Sequence, residues 1–444
     1  MNKRRLPCLI AVCLALATAA SGQDVPDPST NNPFSRQGVG ELAPHAYAAQ
    51  VAMGGIGQAF TDAHIASPTN PASLGALRYT SFQVGLGLDR SRLEADGAEN
   101  TNLDGNLDYL SLAFPLQNSL QRVLDGKQSK WRNGMLLAIA PYSNVGYDIQ
   151  LSSAVEGLGE IRNAYEGSGG FYRLQWGNGV AYDNKFRAGV NVSYIFGRTN
   201  TLQDALPIDP EVVLLSSRLV DVTALRARGI ELQVGGQYDF VLPATSGGVN
   251  RSLTVGGSFT ASTSVDGEAS RLATVSRPNA RIVDTVLFDT EFDQSVDLPA
   301  KIAFGAFYRT EGRFGVGFDV ARTSWSGFRS SLRPNERLED VTSVSIGGEF
   351  IPDAKAFGQY WQLVRYRAGA YLRGDPRGGV DDERGVSFGV GLPVIRPREE
   401  VSYVNLAVNT GSFGDAEGIS QRYVRLTVGF TLTDNSWFYK RRFN

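Results

Sequence analysis

Long stretches of this chain alternate apolar and polar residues with strict period two, and few folds use that pattern at such length. Between Tyr423 and Leu432, Val424, Leu426, Val428, Phe430 and Leu432 are apolar, and Arg425, Thr427, Gly429 and Thr431 stand between them. Successive side chains of a strand point to opposite faces, so one face is apolar and the other hydrophilic. The same register recurs at Phe186–Phe196, Ile230–Phe240, Phe314–Val320 and Val364–Leu372. In a soluble sandwich the apolar face turns to a core, and in a membrane barrel it turns to lipid. Alternation alone does not separate the two.

Segment length does. Strands are predicted at about 79–94, 103–116, 133–151, 168–183, 186–202, 224–241, 251–267, 283–309, 313–327, 339–351, 360–374, 383–393, 400–414 and 420–433. Soluble strands run about five or six residues, whereas a tilted membrane strand needs about nine to eleven. Very short turns, such as Asp183-Asn184-Lys185 and Glu311-Gly312, alternate with longer polar connections at 203–223, 268–282 and 328–338. Short turns on one side and long loops on the other mark an outer-membrane barrel. Residues 117–132 and 415–419 break that rule, and a separate strand at Asp284–Asp297 would raise the count to fifteen. The expected fold is an all-β transmembrane antiparallel barrel of about fourteen strands, over 78–444. Aromatics near strand ends, among them Tyr142, Tyr147, Trp176, Tyr182, Trp325, Tyr360, Trp361 and Trp437, suit interfacial girdles.

The first 22 residues read as a secretory signal peptide. Lys3, Arg4 and Arg5 precede an apolar run from Leu6 to Ala20 and small residues at Ala20-Ser21-Gly22. Cys8 and Cys13, the only two cysteines, leave with it. A disulfide framework, a thiolate metal site and a cysteine nucleophile are thereby excluded. Cleavage takes Lys+Arg from 43 to 40 against 45 acidic residues, so no basic stripe for nucleic acid is expected. No later stretch is apolar for 18 consecutive residues, which rules out transmembrane helices.

Residues 23–77 do not alternate. They carry Ala52-Met53-Gly54-Gly55-Ile56-Gly57 and, fifteen residues on, Asn70-Pro71-Ala72-Ser73-Leu74. The segment is small, rich in Gly and Ala and poor in charge, which suits a plug folded into a lumen better than a disordered tail. A Gly-Gly segment followed by Asn-Pro-Ala-Ser-Leu before the first strand resembles the N-terminal hatch of the FadL/TodX-type outer-membrane transporters. Ala138-Ile139-Ala140-Pro141-Tyr142 is similar to that family's third strand. Leu298-Pro299 with Ile302, Phe304, Gly305, Tyr308, Phe318, Asp319 and Trp325 is similar to its middle strands. The resemblance implies a hatch-gated channel in the bacterial outer membrane for passive uptake of long-chain fatty acids or similar hydrophobic molecules. Gly54, Gly55, Asn70, Pro71 and Ala72 would form the hatch, and a wall gap at Pro141 would release ligand sideways. Proline cannot donate to a ladder, which is the physical reason to expect an interruption there. A simple strand end at Pro141 is the competing reading.

The predicted lumen face departs from that implication. It carries Asp89, Arg187, Glu231, Asp319, Glu349, Arg365, Arg367 and Arg425, with no matching stripe of large apolar residues. Such charges pair among themselves, clamp the hatch or bind a carboxylate head group. Gly189, Gly305, Gly317, Gly369 and Gly429 make room for the hatch or relieve strand coiling. No catalytic residue, metal or cofactor is expected: His45 and His64 both lie before the barrel, without metal-ligand spacing. Asp381-Asp382-Glu383 reads as a solvated acidic run. Expected partners are outer-membrane lipid and lipopolysaccharide and a hydrophobic small molecule, with the barrel a monomer. The alternative is a non-transporting scaffold or shuttle subunit of a secretion complex. An apolar pocket running from the outer loops to a wall gap distinguishes a transporter.

Overall fold

The computed structural model describes residues 32–434 apart from 96–97, 118–129, 156–158, 208–217, 245–247, 277–281, 357, 396–400 and 415–417. The signal peptide, its cysteines and the aromatic-basic end at 435–444 lie outside the described residues. Fourteen antiparallel strands form the wall. They are β1 (Thr80–Ala95), β2 (Ala98–Pro115), β3 (Trp131–Val155), β4 (Gly159–Tyr182), β5 (Phe186–Pro207) and β6 (Arg218–Leu242), followed by two broken strands. The first of these, β7, comprises Arg251–Thr260 and Thr263–Ser276; the second, β8, comprises Ile282–Leu298 and Lys301–Thr310. Then come β9 (Phe314–Thr323), β10 (Val341–Phe350), β11 (Arg365–Arg373), β12 (Glu383–Ile395), β13 (Val401–Gly414) and β14 (Ser420–Asp434). Neighbours pair in chain order, and β14 pairs with β1 from Ser420↔Glu94 to Asp434↔Thr80, closing the ring.

Residues 282–310 make one wall position rather than two. Their upper part pairs with Thr263–Ser276 and their lower part with Arg251–Thr260, so the count stays at fourteen. The break falls at Pro299-Ala300, where proline removes a ladder donor.

Burial is inverted relative to a soluble fold, which decides between sandwich and barrel. On β14, Val424, Phe430 and Leu432 are exposed, while Thr427, Thr431 and Thr433 are buried. Phe259, Phe304, Phe318, Ile346 and Phe388 face outward around the rest of the ring, and Gln83, Gln175, Asn191, Gln233, Ser387 and Asn405 face inward. Hydrocarbon outside cannot satisfy N–H or C=O groups, so only a closed ladder spans it.

The wall is not of even height. β3 and β6 each run 25 residues and β4 runs 24, whereas β9 and β10 run 10 and β11 runs 9. About nine to eleven residues cross a bilayer, so β3 to β8 project beyond it as a curved sheet. The projection lies on the side opposite Thr80 and Asp434. The expectation of loops at 203–223 and 268–282 is thereby corrected: strand continues to Pro207 and Ser276 and resumes at Arg218 and Ile282. Above the membrane the outer face meets water, apolar alternation loses its cause, and Gln203-Asp204-Ala205-Leu206-Pro207 reads as a loop. Residues 324–340 instead fold into the ring, burying Trp325, Phe328 and Leu338.

The aromatics divide. Trp176, Tyr182, Tyr360 and Trp361 are exposed on the outside, as a girdle requires, but Tyr147 and Trp325 are buried inside. Phe388 is 60% exposed near the middle of β12. Phe388→Arg is expected to destabilise the barrel by about 2–4 kcal/mol, the cost of a basic residue at mid-bilayer. Denaturant titration in lipid vesicles measures this, and an unchanged midpoint would contradict a lipid-facing position.

Candidate functional site

Residues 32–79 touch strands all around the ring, so they lie within it. Asn70 is the best-held residue of this segment and is fully buried. It precedes the 3-10 turn Pro71–Ala76, and its Oδ1 accepts from Ala72 N at 3.0 Å. Its Nδ2 donates to Gln58 O at 2.8 Å and Gly257 O at 3.2 Å, and lies 3.4 Å from Gly236 O. One side chain thus caps a turn and joins it to the backbone at Gln58 and to the wall. Pro71 supplies the turn's fixed φ, and Ala72 is also fully buried.

The wall is recessed to receive this turn. A Cβ at Gly235 would lie 2.1 Å from Asn70 Oδ1, and one at Gly189 would lie 2.5 Å from Pro71 O. Gly54 turns with φ +73°, and a side chain there would meet Ala370 O at 2.9 Å and Ile346 O at 3.0 Å. Gly55 follows with φ +87°. Of the inward glycines noted in the sequence, Gly189, Gly369 and Gly429 abut Pro71, Met53 and Ala48 of this segment. Gly305 and Gly317 instead clear Asp319 and Phe307 of the barrel itself.

Amides that sequence reasoning passed over do much of the holding. Asn191 donates to Pro68 O at 3.2 Å, Gln233 to Thr69 O at 2.9 Å and Gln237 to Gln58 O at 2.8 Å. They stand on adjacent strands β5 and β6. Their signal was an amide at inward positions of neighbouring strands, legible only once the register is known.

The inward charges pair or clamp. Asp89 meets Arg425 at 2.8 Å, Glu231 meets Arg173 at 3.1 Å, and Glu349 meets Arg367 at 2.9 Å. Arg187 forms a bidentate pair with Asp239. Two others reach the N-terminal segment. Asp319 accepts from Gly57 N at 2.7 Å and Gln58 N at 2.9 Å, and Arg365 meets Asp62 at 2.7 Å. Burial alone would push the Asp62 carboxyl up, but Arg365 and His64 hold it well below the usual range. Burial, with Arg173 nearby, keeps the His45 imidazole well below its ordinary value; its Nε2 lies 2.9 Å from Gln175 Oε1.

The ladder between β2 and β3 covers only Leu110–Pro115 and Ile139–Gly134. Above Leu110, β2 pairs with β1, and above Ile139, β3 pairs with β4. The strands therefore part immediately below Pro141, and a bulge between Pro141 and Ser143 turns the edge of β3 inward. The open edge is taken by the N-terminal segment: Glu41 and Leu42 pair with Asn144 and Ser143, and Ala43 N donates to Tyr142 O at 3.0 Å. Pro141 thus marks a parting of the wall and not an end of β3, which runs on to Val155.

A cavity of about 1460 Å³ lies against this seam, above Gly54 and Gln58. Its inner lining includes Asp89, Arg173, Glu231, Lys301, Asp319 and Arg425. Asp104, Asn106 and Asp108 border it on β2, and Tyr142 and Asn144 on β3. The apolar cluster above includes Val39, Phe171, Ile195, Leu225, Trp325 and Phe328, and it meets the cavity at Val39, Trp325, Leu338 and Val341. Among the described residues there is no group of histidine, cysteine and carboxylates able to hold a metal.

Arg365→Met is expected to release Asp62 from its partner and expose residues 57–66 to limited proteolysis, with the barrel intact. The cost is about 3–5 kcal/mol, typical of breaking a buried pair. Because the folded pKa of Asp62 is depressed, its stabilisation is present above the ordinary carboxylate value of about 3.9 and fades only below it. Wild-type protein at pH 5 should therefore resist proteolysis as it does at pH 7. Cleavage at pH 5 would count against this clamp.

The Pseudomonas putida toluene transporter TodX shares the fold with a TM-score of 0.56 at 20% identity, over 88% of this chain and 99% of that one. The Ralstonia pickettii toluene transporter TbuX gives 0.54 at 15% identity, over 88% and 98%. A Pseudomonas aeruginosa FadL homologue gives 0.53 at 12%, again over 88% and 98%. The fold that the hatch and strand motifs led us to expect is therefore the one seen, a barrel of the FadL type; at these identities the likeness is one of fold alone. No curated protein sequence matches the chain. A family model described as BamG matches residues 1–444, and the chain belongs to the BamG family.

Proposed function

We propose that this barrel is a non-transporting subunit of a larger assembly in the bacterial outer membrane, its lumen closed by the N-terminal segment. One observation carries the reading: charged side chains, among them Asp89, Arg173, Glu231, Lys301, Asp319 and Arg425, line the cavity that a ligand would cross, interleaved with apolar ones such as Val39, Trp325 and Leu338. A hydrophobic molecule gains by leaving water for apolar surface, and ligand pockets are accordingly lined mostly by apolar side chains. Here it would leave the cavity past Asp104, Asn106 and Asp108, and would strip water from those groups without replacing their hydrogen bonds. The tall sheet formed by β3 to β8 gives such a subunit a large surface outside the bilayer.

A second reading, passive uptake of long-chain fatty acids or similar compounds with lateral release, is favoured by the parting of β2 and β3 beside Pro141. Fold likeness to hydrocarbon transporters supports it as well. The two differ in what the purified protein holds. Lipid mass spectrometry after extraction in mild detergent is expected to find no stoichiometric apolar ligand. One fatty acid or aromatic hydrocarbon per barrel would favour uptake, as would slower hydrophobic uptake by cells carrying Pro141→Ala with the barrel still heat-modifiable.

Closure is tested apart from substrate. Deleting residues 24–60 is expected to leave a folded barrel with raised conductance in planar bilayers. Unchanged conductance would reject the plug.

A further inference from the structure

The outer wall of the projecting sheet is banded. Tyr194 and Ile230 are exposed at the lipid level. Above them runs a charged row across four strands, Arg198↔Arg226↔Glu268↔Asp293, all exposed. Charged side chains on the outside of a barrel mark the limit of the hydrocarbon. Higher still is an apolar row, Leu202↔Val222↔Leu272↔Phe288, again across four adjacent strands. Leu272 alternates with Ala269 and Ala273, which are buried on the inner side, so this row faces out. It stands in water, with Phe288 69% exposed and Val286 beside it 61% exposed.

The row ends at an open edge. The lower part of β8 is covered on that side: Val296 and Asp297 pair with Ser330 and Arg329, and Ser331 N donates to Ser295 O at 3.1 Å. Among the described residues no strand pairs with β8 above Ser295 on the side away from β7. Natural sheets protect such edges with charged side chains, proline, bulges or a covering element. Residues 282–294, IVDTVLFDTEFDQ, contain no proline and no basic residue; the edge relies on three aspartates, one glutamate and register shifts at Ile282/Asp284, Thr285/Leu287 and Asp289/Phe292.

We propose that this edge takes an extended, basic strand of another protein, which continues the sheet and covers Leu272 and Phe288. The inference rests on the scaffold reading and names the kind of partner held. Main-chain hydrogen bonds to an open edge supply affinity, and alternate side chains supply choice. The exposed carboxylates of Asp289 and Asp293 select a strand that alternates apolar residues with lysine or arginine. They also argue against a second copy of this chain, since two β8 edges would set like charges opposite one another.

The test uses the full chain in detergent and an eight-residue peptide alternating valine with lysine, read by fluorescence anisotropy. We expect binding with hydrogen-exchange protection at 284–294. Affinity should fall at least tenfold for the Val286→Lys/Phe288→Lys variant and for a valine–glutamate peptide. Equal binding of the two peptides, no binding, or protection elsewhere would overturn the proposal. In native membranes, a photo-crosslinker at position 288 should give a discrete adduct with a different protein, lost on Val286→Lys. Adducts only with lipid or with a second copy would also overturn it. Failure of the edge and failure of the scaffold reading are distinguishable. Native electrophoresis of the extracted chain shows whether it still migrates in a larger hetero-complex, whatever happens at position 288.

Discussion

The structure depends on one constraint: in hydrocarbon a backbone N–H or C=O has no water to turn to, so every one must find a partner within the wall. A ring of fourteen paired strands meets that demand, and ring closure by β14 on β1 removes the last edge. The side chains follow. With lipid outside, Phe304 and Ile346 turn out, and Gln175 and Asn191 turn in. Once polar groups point inward they need partners there. The N-terminal segment provides them, its carbonyls at Gln58, Pro68 and Thr69 accepting from wall amides. The interior thus holds a polar cradle beside its apolar clusters around Met53, Leu74 and Phe171.

Where the constraint lapses, the wall behaves differently. Above the bilayer water reaches the strands, closure is no longer required, and β2 parts from β3 at Leu110 and Ile139. The N-terminal segment pairs with the edge so exposed, through Glu41 and Leu42. The upper edge of β8 has no such cover among the described residues. The same sheet is therefore closed, latched and open at three levels, and the differences lie in what surrounds it.

Much of this was legible in the sequence where lipid imposes a pattern. The alternation at 423–432 identified β14 to within a residue, and that at 186–196 fixed the start of β5, because a one-residue slip would turn charges to hydrocarbon. Gly54, Asn70 and Pro71 stood out in the sequence through resemblance to a known hatch segment. What was not legible lay where two environments are alike. The upper ends of β5 and β6 face water outside, so residues 203–207 and 218–223 read as loop. Tyr147 and Trp325 counted as girdle aromatics, although they pack inward; residue type alone does not say which face is which. The amide cradle around Asn70 joins strands far apart in the chain, and no local pattern announces it. Pro141 was recognised as a point of interruption, but its partner in the gap, Glu41–Leu42, comes from a hundred residues away.

The most direct measurement of the inverted arrangement is a nitroxide scan from 423 to 433 in lipid bilayers, one label at a time, read by collision with oxygen and with a water-soluble nickel complex. Oxygen collision is predicted to peak at 424, 426, 428, 430 and 432 and to fall between them, since oxygen concentrates in hydrocarbon. Nickel collision high at those same positions, or no period of two, would mean that these side chains do not face lipid, and the account of wall, lumen and partner would fall with it.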